Sequence, residues 1–137
     1  MRVFFDTNVL VYLFDSADAQ RHARAVDRFA HALQHEHVVL STQVLHEFFH
    51  IVTRKLRPAL PVSDAALQVQ RLCQFEVVGS HAQSVQDATA LMQQHRLSWW
   101  DALILEAALR AGADVLLTED GQSGRRFGAL RLENPLA

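Results

Sequence analysis

Several short runs in this chain are apolar without a break, and that restricts the fold more than any other feature. Val3-Phe4-Phe5, Val38-Val39-Leu40, Val77-Val78 and Val115-Leu116-Leu117 contain no alternating polar residue. A strand that is apolar on both sides must be covered on both sides, as in a parallel sheet between layers of helices. The intervening segments supply those helices. Asp6-Thr7-Asn8 offers capping side chains ahead of Val9 to Phe14. From Asp18 to about Gln34, the residues Ala23, Val26, Phe29, Ala30 and Leu33 recur at helical spacing. Ser41 or Thr42 caps a helix that carries Val44, Phe48, Ile51 and Val52 and ends before Pro58. Ser63 opens another helix, running to about Gln74. Ser80 with Gln83, and Ser98 with Asp101, have capping-box spacing for two more; these end near His95 and Gly112. Leu130-Arg131-Leu132 forms a last strand after a glycine-containing loop. The expectation is an α/β fold: one three-layer domain over residues 1–137, with a short, mostly parallel central sheet flanked by helices.

Composition narrows the function. With 137 residues, 50% of them hydrophobic, the chain can bury a core without disulfides, and a disordered or fibrous protein is excluded. Cys73 is the single cysteine, so there is no disulfide framework; on an apolar helix it reads as core packing. No apolar run matches a signal-peptide core or a membrane span, and the expectation is a soluble cytoplasmic protein with no membrane partner. The net charge of −2 gives no global electrostatic case for nucleic acid. Of 13 basic residues only Lys55 is a lysine; arginine suits bidentate phosphate contacts, and the same skew follows from GC-rich coding. Trp100 falls on the apolar stripe of Leu103, Ile104 and Ala107, which leaves Trp99 as core, dimer surface or base-stacking platform.

The chemistry sits in the acids. Ligands of open α/β sheets bind at the carboxyl ends of the strands. Asp6 follows the first strand, and Glu119-Asp120 follows Val115 to Thr118. Glu47 lies among Val44 and Ile51 on a helix margin, and Asp101 opens the helix of Ile104 and Leu105. Each has a purely local role open to it: Asp6 as a helix cap, Asp101 as a capping-box acid, Glu47 as a solvated edge, Glu119-Asp120 as turn residues. Together they can converge on one edge of one sheet.

Phe5-Asp6-Thr7-Asn8-Val9-Leu10, the isolated Glu47, Ser98-Trp99-Trp100-Asp101-Ala102-Leu103-Ile104 and Leu117-Thr118-Glu119-Asp120 resemble, in that order, the motifs of PIN domains. The similarity is to the VapC-type toxin ribonucleases; it spans nearly the whole chain and includes the ending Leu132-Glu133-Asn134-Pro135. The resemblance implies a metal-dependent endoribonuclease, a homodimer, and a cognate antitoxin that holds the toxin inactive. It makes Asp6, Glu47, Asp101 and Asp120 the catalytic and metal-binding acids, with Thr7 and Asn8 beside Asp6 and Thr118 beside the last acid. Glu119 gives that last motif two adjacent acids, of which Asp120 is favoured for the metal.

Charge arithmetic supports this independently. Two carboxylates ~4 Å apart repel by about 4 kcal/mol at an effective dielectric near 20, so converging acids need protons or a cation. All-oxygen ligands select a hard ion, Mg²⁺ or Mn²⁺, which activates water and bridges the acids to an anionic RNA. Arg54, Lys55 and Arg57, at the end of the Glu47 helix, and Arg125 and Arg126, after Asp120, are the RNA-backbone candidates. Solvated ends of a helix and a loop account for the same charges equally well.

One motif points elsewhere. His46-Glu47-Phe48-Phe49-His50 is a literal H-E-x-x-H, the signature of zinc peptidases. Ile51 to Arg57 supply no third ligand, although His81 and His95 lie further along; zinc also leaves Asp6, Asp101 and Asp120 unused. An aspartate-nucleophile phosphatase is disfavoured, because Asn8 stands where the acid would be. A non-catalytic RNA- or protein-binding domain on the same fold is disfavoured by the complete set of acids.

Overall fold

The computed structural model describes residues 1–137. Its strands are β1 (Arg2–Phe5), β2 (His37–Ser41), β3 (Glu76–Val78), β4 (Val115–Leu117), β5 (Arg126–Phe127) and β6 (Leu130–Glu133). They form one sheet in the order β3-β2-β1-β4-β6-β5. All pairings are parallel except that of β5 with β6. The helices are α1 (Thr7–Val11), α2 (Ala19–His35), α3 (Thr42–Arg54), α4 (Val62–Leu72), α5 (Ala82–His95) and α6 (Trp99–Arg110). The expected α/β architecture is present. Val3, Phe4, Phe5, Val39 and Leu117 are wholly buried, as apolar-on-both-sides strands require.

Connectivity fixes where a site can form. The chain steps from β1 to β2 to β3 in one direction, then returns to place β4 on the other side of β1. Right-handed crossovers put the helices between these first strands on one face of the sheet, and α5 and α6 on the other. The helices diverge between β1 and β4, leaving a crevice beyond the carboxyl ends of those two strands. Phe5 and Leu117 are paired in register there, and the Asp6 N–H donates to the Leu117 carbonyl at 2.9 Å. Two acidic segments distant in sequence thereby become neighbours.

Five local features of the fold differ from what the sequence predicts. The apolar stripe assigned to α2 is turned outward: Ala25 and Ala32 are buried, whereas Val26 is 42% and Leu33 54% exposed. Phe29 alone of that set packs inward, edge-to-face on Phe5 at 5.5 Å. The α5 capping box is made by His81 and Ser84, one residue beyond Ser80 and Gln83; the Ser84 hydroxyl accepts from the His81 N–H at 2.7 Å. Cys73 caps the end of α4 and is exposed. Trp100 is 62% exposed rather than on a buried stripe, and Trp99 is half-buried. The two-residue strand β5, too short for a periodicity, went unread. Gly112 closes α6 in the left-handed region at φ +67°, as expected of a helix stop.

Candidate functional site

Asp6 begins the site because the strand ends there. Its extended backbone at φ −71°, ψ 157° makes it the cap of α1, and Oδ1 accepts from the Thr7 N–H at 2.7 Å. Oδ2 accepts from the Thr118 hydroxyl at 2.8 Å. The helix-cap reading of Asp6 is therefore correct for one oxygen only; the other belongs to the junction with β4. Asp6 is 7% exposed, and burial pushes its carboxyl up to about 6, opposed by these two hydrogen bonds and aided by the charges of Asp120 and Glu47.

Asp120 arrives through a turn organised by the same hydroxyl. Its N–H donates to Thr118 Oγ1 at 3.0 Å, while the Thr118 N–H donates to the Glu133 carbonyl on β6. Gly121 follows at φ +78°; a side chain there would crowd Leu132 Cδ2 at 3.2 Å, and the backbone conformation itself favours glycine. Burial raises the Asp120 carboxyl above the ordinary range, and the charge of Asp101 adds to the rise. Glu119 turns away, toward Arg21 at 3.7 Å, so of the adjacent acids Asp120 faces the crevice. Arg21 escaped the sequence reading because nothing in the sequence places the start of α2 beside this turn.

Asp101 comes from the first turn of α6. Ser98 caps that helix by accepting from the Asp101 N–H at 3.1 Å, but the reciprocal bond of a capping box is not made. The Asp101 carboxylate instead lines a cavity of about 50 Å³ with Asp6, Thr118, Asp120 and Arg125. The remaining walls include Leu97, Ile104, Leu116 and Phe127, so the acids stand on an apolar floor. Glu47 is half-buried on α3 and stays outside this lining; its carboxylate accepts from Gln43 Nε2 at 2.8 Å. Gln43 Nε2 also lies 3.5 Å from the Trp100 carbonyl, which joins the Glu47 helix to the Asp101 helix.

The other candidates are dispersed. Thr7 is 2% exposed and its hydroxyl oxygen has no hydrogen-bond partner; Asn8 is half-buried, and neither lines the cavity. Arg125 reaches the cavity, whereas Arg126 is exposed on β5. Arg54, Lys55 and Arg57 are exposed beyond Glu47, and the Arg57 guanidinium donates to the carbonyls of Arg54 and Leu56. His46 and His50 are exposed on α3. No three His, Cys, Asp or Glu side chains are drawn together closely enough to share an ion as they stand. The donor set of the crevice is nonetheless all oxygen, from Asp6, Asp101 and Asp120, and mutual repulsion of carboxylates confined in one cavity calls for a cation. That set fits a hard divalent ion and has no soft or imidazole donor for zinc.

A family model described as PIN domain matches residues 3–127. No curated protein sequence matches the chain. Among solved structures, the chain is similar to VapC20 of Mycobacterium tuberculosis, described as a sarcin-ricin loop cleaving toxin. The TM-score is 0.68 at 22% identity, covering 87% of this chain and 90% of that one. A toxin–antitoxin complex from Klebsiella pneumoniae gives a TM-score of 0.70 at 20% identity, over 97% of each chain. VapBC2 of Rickettsia felis, bound to a DNA fragment from the promoter, gives 0.68 at 20% identity, over 98% of each chain.

Proposed function

The chain belongs to the PIN domain family, and on that premise we propose that it is a metal-dependent endoribonuclease, the toxin of a toxin–antitoxin pair. One observation carries the reading: Asp6, Asp101 and Asp120, from three separate segments, line a single cavity at the crevice between β1 and β4. Structural acids have no reason to gather on an apolar floor, where each raises the cost of ionising the next.

The chain's own residues divide the work. Asp6, Asp101 and Asp120 would hold Mg²⁺ or Mn²⁺ through carboxylate oxygens, with Glu47 completing the set from α3. A bound ion of this kind supplies a water of lowered pKa and positive charge against the phosphate. Thr118 fixes the Asp6 carboxylate by its hydrogen bond, which favours the ionised form and partly opposes the effect of burial. Asn8, the second residue of α1, and Thr7 are supporting polar groups. Glu119 holds Arg21, and through it the start of α2, beside the loop that carries Asp120. Arg54, Lys55, Arg57 and Arg126 offer exposed positive charge to an RNA backbone.

The partner assignment rests on the similar structures, two of which are toxin–antitoxin assemblies. Exposed Val26 and Leu33 on α2, with Val62 and Leu67 on α4, leave apolar surface for a cognate antitoxin or a second copy in a homodimer. No helix is long and apolar enough to cross a membrane. The cytoplasm is where an RNA-cleaving toxin would act.

The test is cleavage of a labelled RNA by the purified protein with Mg²⁺, Mn²⁺, Ca²⁺ or excess EDTA. Cleavage is expected with the first two ions and none with EDTA. Ca²⁺ should bind without comparable turnover, because its looser coordination orients an attacking water poorly. Undiminished cleavage in EDTA contradicts the proposal.

A further inference from the structure

Arg125 is a cation in an acidic cavity that pairs with none of the acids. It lines the same walls as Asp6, Asp101 and Asp120, yet it takes part in no ion pair of the molecule. An arginine free to choose its rotamer beside three carboxylates would fork onto one of them. Something holds it off. Its guanidinium carbon sits 4.6 Å from the centroid of the Phe127 ring, in cation–π contact. Nη2 lies 3.4 Å from His95 Nδ1. His95 in turn packs edge-to-face on Phe127, with centroids 4.9 Å apart and ring planes at 89°. Arg125 can only donate, so this contact requires a bare Nδ1 and places the neutral imidazole's proton on Nε2.

The backbone beneath is equally fixed. The Arg125 carbonyl accepts from the Leu132 N–H at 2.8 Å, and the Leu132 carbonyl accepts from the Gly124 N–H at 2.7 Å. Gly124, at φ +87°, makes the turn that permits both bonds. The side chain is thus set by an aromatic face, an imidazole and a strand pairing, with most of its donors unused.

We propose that Arg125 is the clamp on the non-bridging oxygens of the scissile phosphodiester, and that His95 and Phe127 are positioning residues that keep its guanidinium available to that anion. The inference rests on the nuclease reading above and goes beyond it. A planar fork of donors matches two phosphate oxygens, which an ammonium does not. Charge gathers on those oxygens as the bond breaks, so the contact strengthens in the transition state.

The experiment compares wild type, Arg125→Ala, Arg125→Lys, His95→Ala, His95→Asn and Asp101→Asn on a fluorescein-labelled random 20-mer RNA. Cleavage is measured in Mg²⁺ and binding by anisotropy in Ca²⁺ over a range of salt. Arg125→Ala should lose about 100-fold, mostly in kcat, with Arg125→Lys recovering only part. Its binding should lose about 0.7 to 0.9 of the slope of log affinity against log salt, the share of one phosphate contact. His95→Ala should lower kcat by roughly tenfold, and His95→Asn, which keeps an acceptor near the Nδ1 position, should restore most of it. Arg125→Ala within about threefold of wild type, beside an inactive Asp101→Asn, overturns the clamp and leaves the nuclease reading standing. Equal damage from His95→Ala and His95→Asn overturns the positioning role. A wild-type protein that cleaves no RNA overturns both proposals.

Discussion

The Thr118 hydroxyl donates to Asp6 Oδ2 at 2.8 Å across 112 positions of sequence, and Thr118 Oγ1 itself accepts from the Asp120 N–H at 3.0 Å. One buried hydroxyl therefore holds two of the proposed metal ligands in a fixed relation. Thr118→Val keeps the shape and removes both bonds. It should destabilise the protein by about 1 to 3 kcal/mol, the cost of leaving buried polar groups unpaired. It should also make Asp6 harder to ionise, moving the acid limb of the cleavage profile to higher pH, because this bond opposes the effect of burial. Thr118→Ser should retain both properties. Urea unfolding with pH–rate profiles of the two variants checks this.

Asp6 makes stability depend on pH in the direction opposite to a salt-bridged acid. Its carboxyl is raised from 3.8 to about 6 by burial. Between those values the folded state holds a proton that the unfolded chain has released, so stability should rise as pH falls from about 7 toward 4. A shift of about two units corresponds to roughly 3 kcal/mol as an upper figure. Asp120 and Glu119 are raised too and act in the same sense. In EDTA, Asp6→Asn should be more stable than wild type at pH 7.5, with the difference vanishing near pH 4. A difference that stays constant with pH contradicts the raised carboxyl.

Glu47 and its flanking histidines separate the nuclease from a zinc peptidase. His46 and His50 are exposed and line no part of the acidic cavity. Either one changed to Ala should keep RNA cleavage within about tenfold, the scale of modest surface damage. Glu47→Gln should reduce it far more. Stoichiometric zinc in the purified protein, lost in both histidine variants together with a peptidase activity, would reverse the assignment.

Asp101 distinguishes a metal ligand from a helix cap. Its backbone N–H, which Asn also has, makes the contact with Ser98, and its carboxylate makes no return bond. Asp101→Asn should therefore melt no lower than wild type in EDTA, apart from a helix-dipole effect of about 0.3 to 1 kcal/mol that relief of repulsion offsets. Mg²⁺ at ~100 times its Kd should stabilise wild type by about 2.7 kcal/mol, or roughly 9 °C for a chain of this size. Asp101→Asn should lose most of that shift. Melting curves of both proteins with and without Mg²⁺ are sufficient.

The sheet and the acids were legible in the sequence for one shared reason. Val3-Phe4-Phe5 and Val115-Leu116-Leu117 leave no solvent face, and Asp6 and Asp120 stand where those runs end. The orientation of α2 was not legible. Its apolar residues divide between two faces, and the buried side is set by small residues, Ala25 and Ala32, together with Phe29 against Phe5. Trp100 shares helical spacing with Leu103 and Ile104, but in the first turn of α6 its ring is exposed while Ile104 is buried. The pairing of Glu119 with Arg21, and the seating of Arg125 on Phe127 and His95, depend on contacts between segments far apart in the chain. Local sequence carries no signal for those.

The most direct measurement of the central claim is an anomalous difference map from crystals of the protein soaked in Mn²⁺. A peak bounded by the carboxylates of Asp6, Asp101 and Asp120 is expected, absent from crystals of Asp101→Asn. A soaked crystal with no peak there, or with its metal between His46 and His50, would contradict that claim.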